Sequence, residues 1–312
     1  MIKFDHKPVL LDECIEGLNI KSDGIYIDMT TGGGGHSYHI LQQLTTGHLY
    51  CFDQDKMAIE ASRSTLLSLS KTNFTMVHSN FRFAKENLGY KNVPIADGIL
   101  FDLGVSSFQL DEASRGFSYR FDAPLDMRMN QEDSLTAKIV VNSYSEEKLG
   151  TILYEYGEEK YAKRIAKGIV EYRKTKPIET TFELVDIIKR STPVKYHIES
   201  GHPAKRTFQA IRIEVNQELT ILKNALSDAL DLLKSHGRMC VITFHSLEDR
   251  IVKQLFKEKT TDSSWHRGLP VTLESKVINY KLITSKPTLP RGEELENNPR
   301  SHSAKLRIIE RL

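Results

Sequence analysis

The sequence predicts an α/β protein with a doubly wound, seven-stranded sheet interrupted by an all-helical insertion. Three observations carry this. Residues 26–37 run Tyr-Ile-Asp-Met-Thr-Thr, then four glycines, His and Ser, and read as a strand, a tight loop and a helix start. Apolar runs alternate with helical segments as far as Asp102, the pattern of a parallel sheet. Strand signals then disappear from about 105 to 205 and return at Arg238.

Each element has a local reason. Strands are expected at 24–28, 49–53, 74–78 and 96–102, with helices near 37–44, 56–68 and 81–88 between them. In the middle stretch one helix follows Ser145, carries Glu146 and Glu147 in its first turn and stops near Gly157. A second spans about 158–173, with Ile165, Ile169 and Tyr172 as its apolar stripe. A third opens on Thr180-Thr181-Phe182-Glu183, a capping-box pattern, and turns Leu184, Ile187 and Ile188 inward. A long helix is expected from about 207 to 234, closed by Gly237. The fifth strand covers 238–244, a helix follows over 247–257, and strands at 277–284 and 304–311 end the sheet. Residues 259–272 and 285–303, rich in polar residues, Pro and Gly, read as loops.

Composition sets bounds. With 312 residues the chain can bury a large core. Hydrophobic residues at 39% and charged residues at 27% are those of ordinary soluble proteins. No apolar run reaches the roughly 18 residues of a membrane span, and the first residues lack a signal-peptide core, so a cytoplasmic protein is expected. Cys14, Cys51 and Cys240 have no metal-type spacing and read as buried, reduced thiols; no metal is expected. A net charge of +2 does not by itself indicate a nucleic-acid partner. Charge is local instead: residues 160–212 hold 13 Lys and Arg against 5 Asp and Glu, and residues 276–312 hold 8 against 4. Such patches suit phosphate neutralisation, although a solvated helix face looks similar.

Ligands of open α/β sheets bind at the carboxyl ends of the strands. Asp28 with the glycine loop, Asp53, His78 to Phe81, Asp102 and Phe244-His245-Ser246 all fall there. The glycines allow close backbone approach, and the helix start offers N–H groups to an anion. An acid at Asp53 can accept from both hydroxyls of a ribose. The set implies a nucleoside-containing cofactor, whereas Asp28 or Asp102 alone could simply cap a turn.

At this point the chain resembles the MraW/RsmH family, methyltransferases that modify N4 of a cytosine in small-subunit ribosomal RNA. The resemblance covers nearly the full length. It is carried by His6-Lys7-Pro8-Val9-Leu10-Leu11-Asp12-Glu13, the loop from Thr30 to Ser37, Asp102-Leu103-Gly104-Val105-Ser106-Ser107 and Gln109-Leu110-Asp111. Further carriers are Arg115-Gly116-Phe117-Ser118, Pro124-Leu125-Asp126-Met127-Arg128-Met129 and His202-Pro203-Ala204. Arg206-Thr207-Phe208-Gln209-Ala210, Phe244-His245-Ser246-Leu247-Glu248-Asp249-Arg250 and Asn298-Pro299-Arg300-Ser301 complete it. Phe108, His302 and Gly33 depart from the family pattern.

The resemblance implies a Rossmann-like methyltransferase sheet formed by 1–106 and 211–312, with 107–210 as an inserted helical domain for RNA recognition. It implies S-adenosyl-L-methionine as donor and small-subunit rRNA, within a ribosomal particle, as partner, with the decoding centre as target. A monomer or weak homodimer is expected. Gly34, Gly35 and His36 are expected at the methionine end, Asp53 at the ribose and Phe81 beside the adenine. Asp102 and Gln109 are expected to complete the cofactor pocket, with Asp102 also the candidate catalytic residue. The cytosine must leave its stack to react, and the aromatics of the 115–129 loop, Phe117, Tyr119 and Phe121, are candidates to receive it.

Three other readings compete. A dehydrogenase would share the glycine loop and Asp53, but its usual third glycine falls at Ser37. A DNA amino-methyltransferase would place two prolines after the acid of the fourth strand, where this chain has Leu103-Gly104-Val105. A non-enzymatic ribosome-assembly factor would not need the donor-site residues.

Overall fold

The computed structural model describes residues 8–89, 95–199, 201–261 and 277–312. Seven strands form one sheet: β1 (Ile25–Asp28), β2 (His48–Asp53), β3 (Phe74–His78), β4 (Ala96–Asp102), β5 (Leu233–Thr243), β6 (Tyr280–Leu282) and β7 (Lys305–Arg311). Their order is β3-β2-β1-β4-β5-β7-β6. The first five strands pair in parallel, while β7 runs antiparallel between β5 and β6. The sheet is thus mixed and Rossmann-like. The chain steps outward from β1 to β2 and β3, then returns to place β4 on the other side of β1. That reversal opens a crevice at the carboxyl ends of β1 and β4, where such sheets bind ligands.

The central strands are buried on both faces, so they read as continuous apolar runs. On β4, Ile99 and Phe101 enter one core with Ile27, Phe52, Met239, Val241 and Ile309. Leu100 points the other way and packs with Tyr26, Cys51, Cys240, Ile242 and Ile308. Helices cover both faces. Leu222, Leu226 and Leu230 from helix Glu218–Leu232, with Val252 and Phe256 from helix Ser246–Thr260, close the first core. Cys14 and Leu18 from helix Leu11–Leu18, with Ile40 and Leu41 from helix Gly35–Gln43, close the second. Cys14, Cys51 and Cys240 are all free and buried. No helix among the described residues is long and apolar enough to cross a membrane.

The chain divides into two compact units, Met1–Gly104 with Thr220–Leu312, and Val105–Leu219. The second unit has its own core, to which Leu149, Ile165, Ile169, Leu184, Ile188 and Phe208 contribute. Its longer helices are Glu146–Glu155, Ala162–Arg173, Thr181–Ser191 and Lys205–Asn216. Ser145 caps the first by accepting from the Lys148 N–H, and the capping box of Thr180 and Glu183 is formed in full.

Several expected boundaries differ, each for a long-range reason. The helix expected over 207–234 is two helices, Lys205–Asn216 and Glu218–Leu232, broken at Gln217 with φ +53°. The Asn216 side chain accepts from the Met129 N–H at 2.7 Å and donates to the Met127 carbonyl at 2.8 Å. Across the break, Arg212 grips Glu218 through two 2.8 Å hydrogen bonds. Gly237 closes no helix. It lies in a bulge of β5 between the pairs Ala96–Leu233 and Gly98–Arg238, where a Cβ would stand 2.8 Å from the Ala96 carbonyl. The helix expected from 158 begins at Ala162, because buried Glu159 accepts from the Tyr196 hydroxyl at 2.7 Å and from the Tyr161 N–H. The strand expected over 277–284 is confined to Tyr280–Leu282. His6, Lys7, Lys276 and the greater part of the 259–272 loop lie outside the described residues.

Removing a methylene cluster from the middle of β4 should therefore cost far more than removing a surface cap. Ile99→Ala, at a fully buried position, is expected to lose about 2–5 kcal/mol, against about 1 kcal/mol for Thr180→Ala. Urea unfolding of both variants checks this, and equal losses would contradict the assigned core.

Candidate active site

The glycine loop is held from beneath by a buried carboxylate. Asp28, at the end of β1, is 1% exposed. Its Oδ1 accepts from the Thr30 N–H at 3.1 Å and its Oδ2 from the Ser37 hydroxyl at 2.6 Å. With that proton committed, the Ser37 oxygen accepts from Thr31 Oγ1 at 2.8 Å. Burial raises the Asp28 pKa, opposed by the Ser37 hydrogen bond, the nearby His36 and the Thr30 N–H.

Two glycines are needed sterically. Gly34 has φ +85°, and a Cβ there would lie 3.0 Å from the Ser62 side chain. A Cβ on Gly35 would stand 2.4 Å from the Pro8 ring. Gly34 is also the N-cap of helix Gly35–Gln43 and offers no side-chain cap. The first N–H groups of that helix are those left for an external acceptor.

Asp53 closes the loop from the β2 side. Its Oδ2 accepts from the Gly32 N–H at 2.8 Å and its Oδ1 from the Asp55 N–H at 2.9 Å. Burial pushes its pKa up to about 6, against the pull of those two N–H groups, with Asp55 and Asp28 adding repulsion. At the β3 end, Phe81 begins a short 3-10 turn capped by Asn80. Its ring meets Phe101 edge-on, with centroids 5.5 Å apart.

Asp102 ends β4. Its backbone N–H donates to Thr30 Oγ1 at 2.6 Å, which ties β4 to the glycine loop. Its Oδ2 lies 3.5 Å from His36 Nδ1. Its Oδ1 is buried and has no hydrogen-bond partner. A buried carboxylate oxygen without a donor is costly and is the kind of atom a bound ligand satisfies. His36 is buried, and its Nε2 lies 3.1 Å from the Val9 carbonyl. The side chain therefore faces inward, and what remains at the loop surface is the backbone.

Gly34, Gly35, His36, Asp53, Phe81 and Asp102 are thus gathered at the carboxyl ends of β1 to β4. Gln109 belongs to the other compact unit. There it is buried, its Oε1 accepts from the Ser106 N–H at 3.0 Å, and it completes a capping box. Sequence reasoning missed Thr30, Thr31 and Ser37 as the groups that fix Asp28 and Asp102. The Asp-x-Thr-Thr pattern after a strand was the available signal, since such side chains bond nearby backbone.

Within the second unit, the three aromatics of the 115–129 loop have different fates. Phe117 is buried in the helical core. Tyr119 stacks on His202 at 4.2 Å. Phe121 is 44% exposed. Arg115, 1% exposed, donates to the Arg128 and Met129 carbonyls and so shapes the loop. Of the basic residues, Arg173, Arg206 and Arg212 bond to protein oxygens, while Lys160, Lys163, Lys167, Lys189, Arg190 and Lys205 are exposed or half-exposed along the surface.

The Asp53 carboxyl should titrate at about 6 in the ligand-free protein. Its folded pKa is raised above the unfolded value. Its stabilising contribution is therefore present below pH of about 4 and is lost as pH rises through the folded value. Carbon-13 NMR of the carboxyl groups checks this, and a midpoint near the ordinary aspartate value would contradict the buried environment.

A model of the MraW methylase family matches residues 3–312. The chain is 54% identical over 309 residues to the ribosomal RNA small subunit methyltransferase H of Exiguobacterium sibiricum, covering 99% of each chain. It is 54% identical over 312 residues to the protein of that name from Clostridioides difficile, covering 100% of each. It is 52% identical over 313 residues to that of Limosilactobacillus fermentum, again covering 100% of each. A match of this extent, at this identity, leaves no part of the catalytic sheet or the helical unit outside the relationship: the chain belongs to the MraW methylase family.

Proposed function

We propose that this protein methylates small-subunit ribosomal RNA, at the N4 amine of a cytidine of the decoding centre. The methyl donor is S-adenosylmethionine, which supplies a methyl group activated by a positively charged sulfur. The observation that carries the reading is the joining of Asp102, at the end of β4, and Asp53, at the end of β2, to one glycine loop in a family of methylases.

The residues fit such a donor. Asp53 keeps lone pairs beyond the two already used and accepts from the ribose hydroxyls. The N–H groups after Gly34 face the donor carboxylate. Phe81, half-buried, supplies an apolar edge for the adenine. The partly exposed Asp102 carboxylate accepts an N–H of the cytosine amine. That amine is a poor nucleophile because its lone pair is delocalised into the ring. Accepting one of its hydrogens raises electron density on nitrogen and stabilises the positive character that develops during transfer. Holding the amine in line with the donor supplies further acceleration.

The helical unit, residues 107–210 as an inserted RNA-recognition domain, contacts the rRNA. Exposed Lys163, Lys167, Lys189 and Arg190 provide phosphate contacts. Phe121 is the aromatic of the 115–129 loop left available for stacking on a base.

Mass spectrometry of small-subunit rRNA from cells with and without the protein tests the function. Loss of an N4-methylcytidine mark is expected in its absence. An unchanged rRNA, or transfer to duplex DNA instead, would contradict it, and normal methylation by a donor-site variant would favour an assembly factor. Asp102→Asn keeps the shape and one acceptor oxygen but loses the charge. Its single-turnover rate at saturating donor and undermodified subunits is expected to fall by about tenfold or more, for a charge-assisted bond of roughly 1.5–3 kcal/mol. A wild-type rate with a raised donor KM would make Asp102 a donor ligand only.

A further inference from the structure

The His36 ring is buried between two acceptors. Nε2 lies 3.1 Å from the Val9 carbonyl, and Nδ1 lies 3.5 Å from Asp102 Oδ2. A carbonyl oxygen only accepts, so Nε2 carries a hydrogen. A neutral ring protonated there would turn the Nδ1 lone pair toward the lone pairs of a carboxylate. One further proton is required between Nδ1 and Oδ2. Ordinary acidities place it on the imidazole, because a carboxylic acid gives up its proton more readily than an imidazolium.

The surroundings agree. Besides Asp102, the ionisable group acting on the ring is Asp28 on β1, which in turn acts on the thiols of Cys14 on helix Leu11–Leu18 and Cys51 on β2. Asp28 attracts a positive ring. Both thiols are held neutral by burial, that of Cys51 pushed up to about 12. Lys56, Glu60 and Arg63 of helix Lys56–Leu67 are exposed. Burial lowers the His36 pKa, but Asp102, Asp28 and the Val9 carbonyl outweigh it, and the net direction is upward.

We propose that His36 is a buried imidazolium that positions the Asp102 carboxylate by tying its Oδ2 to Val9. His36 is then a positioning residue whose side chain does not touch the donor. The arrangement makes the Pro8-Val9 segment a structural part of the β4 end, since Pro8 packs on Gly35 and Val9 holds the far side of the ring. The catalytic consequence rests on the role given to Asp102 above; the protonation does not.

The imidazolium exists below its raised folded pKa, so the pair is present at low pH and lost as pH rises through that value. Asp102 is then no longer held, and the methyl-transfer rate falls on the alkaline side.

Nitrogen-15 histidine labelling of the full chain tests this, with the His36 signal assigned by its loss in His36→Gln. At pH 7 the wild-type ring is expected to show both nitrogens protonated. In Asp102→Asn it is expected to revert to the neutral form protonated at Nε2. A wild-type ring with one bare nitrogen at pH 7 would overturn the proposal. This arm needs no turnover, so its failure is separable from failure of the methyl-transfer reading. In single-turnover assays His36→Gln should lose the alkaline inflection and slow transfer by about tenfold at saturating donor, with donor affinity changed by less than about threefold. A wild-type saturated rate with tenfold weaker donor binding would instead make the side chain a donor ligand and overturn its positioning role.

Discussion

The hydrogen bond from the Asp102 amide to the Thr30 hydroxyl, 2.6 Å long, is the constraint on which the rest of the site depends. It fastens the end of β4 to the loop that leaves β1, at the point where the sheet reverses direction. The neighbouring bonds continue the stitching: Met29 N–H to the Leu100 carbonyl, Thr31 N–H to the Phe52 carbonyl and Gly32 N–H to Asp53. Met29 and Thr30 are therefore bonded to β4, and Thr31 and Gly32 to β2. A loop with four glycines would otherwise be among the most mobile parts of a chain. Here its groups are held before any ligand arrives, which lowers the ordering cost of binding.

The same arrangement concentrates negative charge. Asp28, Asp53 and Asp102 stand at the ends of β1, β2 and β4, and repulsion among them contributes to the raised pKa values of Asp28 and Asp53. Asp28 is satisfied internally by Ser37 and Thr30, and so acts as scaffold. Asp53 and Asp102 keep acceptor capacity. A fold optimised only for stability would not cluster three carboxylates in this way, and functional sites commonly carry such a cost. A positively charged methyl donor is a ligand for which this field is suited.

Much of this was legible in the sequence where the cause is local. The strands expected at 74–78 and 96–102 occupy those residues; the second, buried along most of its length, is written as a nearly unbroken apolar run. The caps at Ser145 and Thr180 formed as expected, because a capping side chain bonds backbone three residues away. What could not be read depends on partners far along the chain. The break at Gln217 is set by Asn216 reaching back to Met127 and Met129. The bulge at Gly237 is set by the approach of Ala96 on the adjacent strand. At His36 the pattern marked a helix start, but not that the ring turns into the protein interior. That orientation depends on Val9 and Asp102, which fold against the ring from opposite ends of the first strand series.

If the glycine loop and Asp53 form one nucleoside-binding surface, removing the Asp53 carboxylate must weaken donor binding. Calorimetric binding of S-adenosylmethionine to the wild type and to Asp53→Ala tests it most directly. Loss of the charge-assisted bonds to the ribose, each worth roughly 1.5–3 kcal/mol, predicts at least about tenfold weaker binding in the variant. Unchanged donor affinity, in a variant that keeps the wild-type unfolding midpoint, would contradict the account.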